Sequence, residues 1–193
     1  VDIKAFGTPV ALGDDDFAGP LPIGFDFPFY GASAVDPNFY DTVFVNSNGF
    51  LSFGAGSTDI SPDPVLPDPT LPNNLIAAAW DDLKPGVDGM VYVESFGQCP
   101  YNPYPNTVDA CFVVQYDNFV HADGSPAGTW EVILFHTGSI LMQYAENMLD
   151  TEMQVADPDG ETQPVSSVRH RSHPVKASSL PEQIFIVGEQ TTD

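Results

Sequence analysis

Short apolar and alternating runs, separated by turn residues, recur along most of the chain. In the run IGFDFPF at 23–29, isoleucine or phenylalanine occupies every second position, which is the period of a β-strand with one buried face. Pro28 lies within this run, and a proline has no backbone N–H to donate to a neighbouring strand. We therefore expect this strand to lie at a sheet edge or to contain a bulge.

Eleven such runs predict eleven strands and little helix, because no long stretch sustains a period of about 3.6 residues. The segment HTGS at 136–139 separates two strong strand runs and predicts a hairpin; NSNG and DPDGE are further turn signals. The pattern is typical of an all-β fold, an antiparallel β-sandwich or jelly roll. The predicted strands are 23–29, 42–46, 50–53, 75–80, 90–95, 111–117, 130–136, 139–144, 152–156, 165–170 and 183–188.

Prolines and glycines are spread throughout, and neither a linker nor a fixed repeat divides the chain. We expect one sandwich domain over residues 1–193, with a C-terminal extension from about residue 150. The strands of this extension would pack on the domain or on a neighbouring subunit. The chain begins at Val1 and shows no signal peptide, so we expect a processed mature chain or an excised domain.

The charge excludes two classes of partner. The chain has 27 acidic and 5 basic residues, a formal net charge of −22. Nucleic-acid binding requires Lys and Arg to neutralise phosphates, so the balance argues against nucleic acid and equally against anionic membrane surfaces. No run approaches the roughly 20 apolar residues of a membrane span, so no membrane insertion is expected. The surplus of carboxylates favours cations as partners.

Two cysteines, Cys99 and Cys111, enclose a segment rich in Pro and Asn that has no strand or helix period. A disulfide closing this loop is the simplest interpretation, and it would stabilise the fold by about 3 kcal/mol. Disulfides persist in oxidising compartments, which predicts an extracellular or cell-surface location. Tyr101 and Tyr104 in the same loop could stack on sugar rings, although tyrosines between prolines also pack as loop filler.

Three segments in order suggest a family. They are GDDDFAGPLPIGFDFPFYG from residue 13, YDTVFVNSNGFLSFG from residue 40 and LPNNLIAAAWDDL from residue 71. Over about residues 7–145 the chain resembles the nidogen-type extracellular domain and related modules of bacterial secreted and cell-surface proteins. The resemblance implies an all-β sandwich found in adhesins, secreted proteases or surface layers, and it implies no catalytic residues. After about residue 150 the segment resembles no pattern that we can place.

No catalytic motif is present. The chain has four histidines but no GxSxG, HExxH or GxxxxGK[ST] pattern, and no carboxylate pair stands out in an apolar setting. The HRSH segment at 170–173 has no second pair of zinc ligands. We therefore predict that the protein is not an enzyme.

Calcium is the strongest chemical candidate, because it binds about six to eight oxygens from carboxylates, carbonyls and water. Aspartates cluster next to apolar strands, where several uncompensated carboxylates would be costly. None of the clusters has the spacing of an EF-hand, so a site would be assembled from separate loops; a solvated acidic turn is the alternative. The candidate ligands are Asp14, Asp15, Asp16, Asp81, Asp82, Asp88, Asp157 and Asp159.

The C-terminal part differs in charge from the rest. Residues 169–193 contain three basic and three acidic residues, a net of zero, whereas residues 1–168 contain two basic and 24 acidic residues, a net of −22. The apolar run QIFIVG within this part suits strand addition to another copy. A solvated strand edge is the alternative. The candidate assembly contacts are Arg169, Arg171, Lys176, Ile184, Phe185 and Ile186.

These observations predict a non-enzymatic extracellular structural protein that calcium stabilises. We expect a homo-oligomer or homopolymer, in the form of a filament, a tube or a surface lattice. The alternative is an adhesin-type module of a larger secreted protein that binds an extracellular glycan or a peptide.

Overall fold

The computed structural model describes residues 1–33, 36–61, 71–72, 74–101, 109–145, 152–156 and 183–187. Within these residues there are eleven β-strands and no helix. The strands are β1 (Thr8–Val10), β2 (Phe17–Ser33), β3 (Asp36–Asn46), β4 (Phe50–Ser52), β5 (Leu75–Trp80), β6 (Leu83–Phe96), β7 (Cys111–His121), β8 (Pro126–Phe135), β9 (Ile140–Tyr144), β10 (Glu152–Ala156) and β11 (Gln183–Val187).

The strands form two antiparallel sheets. A six-stranded sheet has the order β1-β6-β7-β8-β9-β11, and a five-stranded sheet has the order β10-β5-β4-β3-β2. Phenylalanines, valines and isoleucines from alternate positions of both sheets form a shared core, so the predicted antiparallel β-sandwich is confirmed. The β3–β4 turn and the β8–β9 hairpin lie where NSNG and HTGS predicted them.

Two hydrogen bonds between side chains of one sheet and carbonyls of the other show how the sheets are aligned. The Ser95 hydroxyl on β6 donates to the carbonyl of Ile23 on β2 at 2.7 Å. The Tyr144 hydroxyl on β9 donates to the carbonyl of Ala78 on β5, also at 2.7 Å. It follows that β1 and β2 lie on one side of the sandwich, and that β10 and β11 lie together on the opposite side.

Strand β2 confirms the prediction for the IGFDFPF run. It is the last strand of the five-stranded sheet, and its register with β3 shifts on both sides of Pro28. Ile23 and Phe27 are fully buried and Phe29 nearly so, while Asp26 is exposed on the other face. The edge position tolerates the missing N–H of proline, and the alternate phenylalanines hold this edge strand to the core.

The observed strands differ from the predicted ones at two places. The structure adds β1, which is three residues long and contains Pro9, too short for a period of two to be visible. The predicted strand at 165–170 and the DPDGE turn lie outside the described residues. The two tryptophans are core residues, which is the role expected for residues within apolar strand runs. Trp80 and Trp130 are each 1% exposed, and Trp130 stacks on Tyr116 at 4.6 Å between ring centroids.

The predicted disulfide between Cys99 and Cys111 is present, and it connects the segment after β6 to the first residue of β7. Around it a second apolar cluster covers the outer face of the six-stranded sheet, and Ile3 from the N-terminal segment is part of it. The disulfide and the N-terminal segment therefore cover strand surface that would otherwise face water.

Candidate functional site

Two acidic turns meet at one end of the sandwich. Asp14 and Asp15 lie between β1 and β2, and Asp82 lies between β5 and β6. One carboxylate oxygen from each of the three can be chosen so that all lie within 4.8 Å of one another. Asp14 and Asp15 are exposed and Asp82 is half-buried. Asp82 is more than sixty positions away from Asp14 and Asp15 in the sequence, and the sheet order brings it close to them.

The β3–β4 turn organises both acidic turns through Asn48, which is fully buried. The Asn48 side-chain amide donates to an Asp15 carboxylate oxygen at 3.2 Å. Its side-chain carbonyl accepts the backbone N–H of Leu83 at 2.9 Å, directly after Asp82. One buried asparagine therefore fixes the distance between the two turns. We did not predict this role, although NSNG was among the segments of the resemblance.

A second contact fixes the first turn. The backbone N–H of Asp16 donates to the Ser47 hydroxyl at 2.9 Å, and the backbone N–H of Ser47 donates to the Asp16 carbonyl at 2.8 Å. Asp15 itself has a positive φ of 48°, a conformation that aspartate tolerates better than most residues. The turn is therefore held by the NSNG segment in a form that presents the Asp14 and Asp15 side chains towards Asp82.

The surroundings of Asp82 disfavour its charge. Partial burial raises the pKa of Asp82, and the neighbouring charges of Asp15, Asp14 and Asp81 raise it further, while Lys84 acts in the opposite direction. The Lys84 ammonium lies 3.3 Å from a carboxylate oxygen of Asp14. This ion pair is largely open to solvent, and such pairs contribute little. One lysine therefore leaves most of the negative charge of the group uncompensated.

The other candidate ligands have different partners. The Asp16 carboxylate accepts the backbone N–H groups of Gly13 and Phe17, both at 2.9 Å, and so closes its own turn. Asp81 lies beside the group but accepts the backbone N–H of Asp82 at 2.8 Å, and its carboxylate is 3.0 Å from Nδ1 of His121.

Asp88 lies within β6, where the register with β7 shifts, and has a positive φ of 60°. Among the described residues it belongs to no group of three metal-ligating side chains. Asp157 and Asp159 lie outside the described residues. The structure therefore brings together three of the eight predicted ligands, from two of the three predicted clusters.

The residues predicted to stack on a ligand or to form assembly contacts lie in different parts of the chain. Tyr101 is half-buried against the apolar cluster at the disulfide, and Tyr104 lies outside the described residues. Ile184, Phe185 and Ile186 lie in β11, which pairs with β9 in the same chain. The remaining assembly candidates, Arg169, Arg171 and Lys176, lie outside the described residues.

A polar row crosses the outer face of the six-stranded sheet, where the sequence predicted only strands. Gln115, Glu131 and Gln143 are opposite one another on β7, β8 and β9, and they line a cavity of about 200 Å³. The N-terminal segment occupies much of their hydrogen-bonding capacity: Gln115 accepts the backbone N–H of Ile3 at 2.7 Å and donates to Asp2 at 3.0 Å. A glutamine or glutamate within each apolar run was the available signal.

A protein-family model described as NIDO related matches residues 2–182. The chain belongs to this NIDO related family. The membership confirms the nidogen-type resemblance and extends it, because the match continues beyond residue 150, where the residues alone gave no resemblance. No curated protein and no solved structure was found to match the chain.

Family and disulfide together indicate an extracellular type of domain. In the described part of the chain, no helix is long and apolar enough to cross a membrane.

Proposed function

We propose that this NIDO related chain is a non-enzymatic extracellular structural domain, that a calcium ion at Asp14, Asp15 and Asp82 stabilises it, and that copies of it assemble with one another. The observation that supports the calcium site is the convergence of three carboxylates from two separate turns within 4.8 Å. The formal charge of −22 adds to the attraction for a divalent cation.

The spacing suits calcium. Oxygens that ligate one calcium ion lie about 2.3–2.6 Å from it, so two ligands are at most about 5 Å apart. Two of the carboxylates are exposed and the third is half-buried, so water can complete the coordination shell. Burial and, after it, repulsion from Asp15 and Asp14 raise the pKa of Asp82, and binding would relieve the repulsion. Calcium would then tie the turn before β2 to the turn before β6, in opposite sheets.

Thermal unfolding with and without calcium tests the site. At a hundredfold excess over the dissociation constant, calcium should stabilise the fold by about 2.7 kcal/mol. For a chain of this size that corresponds to a rise in Tm of roughly 5–10 °C relative to EDTA. The double variant Asp15→Asn/Asp82→Asn should lose this rise. Since the substitutions remove two charges that repel each other, the Tm of this variant in EDTA should be no lower than that of the unmodified chain.

A matched control removes two charges elsewhere. Asp26 and Asp41 are exposed on β2 and β3, so Asp26→Asn/Asp41→Asn changes the net charge equally. This control should keep the full calcium response. An equal response in both double variants, or no response in the unmodified chain, would contradict the calcium site.

Self-assembly is supported by the contrast between the acidic body and the neutral C-terminal part of the chain. It predicts particles larger than one chain in calcium, visible by light scattering and negative-stain microscopy as filaments, tubes or a lattice. A monodisperse monomer of 20.8 kDa at high protein and calcium concentrations would contradict it.

The adhesin-type alternative has less support. Tyr101, one of its two stacking candidates, packs against the disulfide cluster, and the polar groups of the outer-face cavity are engaged by the N-terminal segment. For the non-enzymatic part of the proposal, the support is the sequence, which contains no GxSxG or HExxH motif.

A further inference from the structure

We propose that copies of this chain are joined by strand exchange: β11 of one copy pairs with β9 of the next copy, in the place that β11 occupies within its own chain. This inference rests on the self-assembly proposed above and names the surface that achieves it. The acceptor is the edge of β9, the donor is Gln183–Val187, and the partner is a second copy of the chain.

The first observation is the way in which β11 is attached. It forms an antiparallel ladder with β9 over five consecutive positions, from Gln183 opposite Tyr144 to Val187 opposite Ile140. It is the terminal strand of the sheet, and β9 is the only strand with which it pairs among the described residues. The same ladder can form between two chains without any change of register, so exchange preserves these contacts.

The second observation is the length of chain before β11. The preceding strand, β10, ends at Ala156 and β11 begins at Gln183, so 26 residues separate them. A segment of 26 residues can span up to about 90 Å when extended, at roughly 3.3–3.6 Å per residue. A neighbouring copy packed against the same side of the sandwich is therefore within reach. Exchange of an identical element between copies is a low-cost route to association.

The third observation is a contrast between sheet edges. On the opposite side of the sandwich, β1 contains Pro9, and β2 contains Pro20, Pro22 and Pro28 with several register shifts. Prolines and bulges are the devices by which proteins protect an edge from pairing with another chain. Neither β9, with the sequence ILMQY, nor β11, with the sequence QIFIV, contains proline, glycine or a charged residue.

Charge favours the same partner. The body of the chain is strongly acidic, and two such bodies repel each other. Residues 169–193 include three basic residues against three acidic ones, so a donated C-terminal part adds no net charge to the interface. Each copy donates one strand and accepts one. Where the donor and the acceptor of a copy bind different neighbours, the contact is head-to-tail, and a head-to-tail contact that does not close produces a filament.

Single cysteines placed in two different chains test the exchange. Gln143 on β9 and Ile184 on β11 are opposite each other, and Cα atoms of opposed strand residues lie within the range that a disulfide spans. The variants Gln143→Cys and Ile184→Cys are mixed in denaturant, refolded together in calcium and oxidised mildly. Exchange predicts a disulfide-linked pair that contains one chain of each variant.

The control pair is Thr8→Cys with Val93→Cys, which are opposite each other on β1 and β6 at the protected side. Since that pairing stays within one chain, the mixture should yield no linked pair. Particles in calcium without a Gln143–Ile184 link would overturn strand exchange but leave self-assembly intact. Absence of particles would overturn self-assembly, and strand exchange with it.

A second variant separates donation from acceptance. In an antiparallel strand only alternate residues bond to a given neighbour, so the double substitution Phe185→Pro/Ile186→Pro removes a donor to β9 whichever alternation holds. This chain cannot donate β11, but its own β9 can still accept one. Added at one part in ten to the unmodified chain, it should shorten the filaments several-fold. The control Ser178→Pro/Ser179→Pro, between β10 and β11, should not. Equal lengths with both variants would contradict the exchange.

Discussion

The two sides of the sandwich have different edge strands. On one side, the 17-residue strand β2 contains prolines, pairs with β3 and places Ile23, Phe27 and Phe29 in the shared core. On the other side, β10 and β11 are five residues each, contain no proline and pair with β5 and β9. Buried side chains therefore anchor β2 in addition to its backbone pairing. The exchange that we propose concerns the other side, where the ladder between β9 and β11 can also form between two copies.

The largest expected effect tests the side of β2. Phe27 is fully buried and lies 5.7 Å from Phe53 between ring centroids. Phe27→Ala removes an aromatic ring from the core and leaves a cavity, so we expect a loss of about 3–5 kcal/mol in the free energy of unfolding. Urea denaturation measures this loss.

The neighbouring substitution Asp26→Ala, on the exposed face of the same strand, is the control and should change stability by less than about 0.5 kcal/mol. Folded Phe27→Ala protein should still assemble, because the β9 edge is unaltered. If Phe27→Ala costs less than about 1 kcal/mol, β2 is not held by its side chains, and the contrast between the two sides fails.

The sequence predicts those parts of the structure that depend on residues close together in the chain, and it does not predict contacts between residues far apart in the chain. The alternation around Pro28 and the HTGS turn are local, and both predicted the correct edge strand and hairpin. The meeting of Asp14 with Asp82 is a consequence of sheet order, which no local pattern contains. The aspartate clusters indicated oxygen ligands, but only three dimensions distinguish Asp16, which closes its own turn, from its two neighbours.

Asn48 and the row Gln115, Glu131 and Gln143 were not predicted for a related reason. Polar residues inside apolar runs have partners distant in sequence: Asn48 contacts Asp15 and Leu83, and Gln115 contacts the N-terminal segment. The signal was present, since a buried amide requires a partner, but the sequence does not name the partner. Strand β1 was missed because three residues are too few for a periodic pattern.

We expect a smaller loss in the free energy of unfolding when either of the two hydrogen bonds that join the sheets near their sides is removed. Tyr144 donates to the Ala78 carbonyl from a buried position, and Ser95 donates to the Ile23 carbonyl from a partly buried one, both at 2.7 Å. Tyr144→Phe should cost about 1–2 kcal/mol, and Ser95→Ala about 0.5–1 kcal/mol, because a hydrogen bond shielded from water is worth more. Urea denaturation of both variants in EDTA measures the difference.

The order of these two losses is the informative result. A loss for Tyr144→Phe that is smaller than the loss for Ser95→Ala would mean that water reaches the β9–β5 contact. The β10–β11 side would then be open in the isolated chain rather than closed by its own strands.

A pH dependence of similar size reports on the same side. Burial raises the pKa of Tyr116 and of Tyr144 well above the ordinary value near 10, so both phenols stay neutral in the folded chain. Tyrosines with raised pKa values contribute full stability below pH 10, and this contribution is lost as the pH rises, because only the unfolded chain gives up the protons. Each such tyrosine should cost about 1.4 kcal/mol between pH 9 and pH 11.

Denaturation in urea at pH 9 and pH 11 measures this slope, and the two tyrosines serve as controls for each other. Tyr116 lies in the centre of the sandwich beneath Trp130, whereas Tyr144 lies next to the strands that we propose to exchange. Tyr116→Phe and Tyr144→Phe should reduce the slope equally if both sites stay closed up to global unfolding. A smaller reduction for Tyr144→Phe would show that β11 leaves β9 before the core unfolds, since an exposed phenol titrates alike in both states. That result would make the edge of β9 available to another copy under conditions in which the rest of the fold, β2 included, is intact.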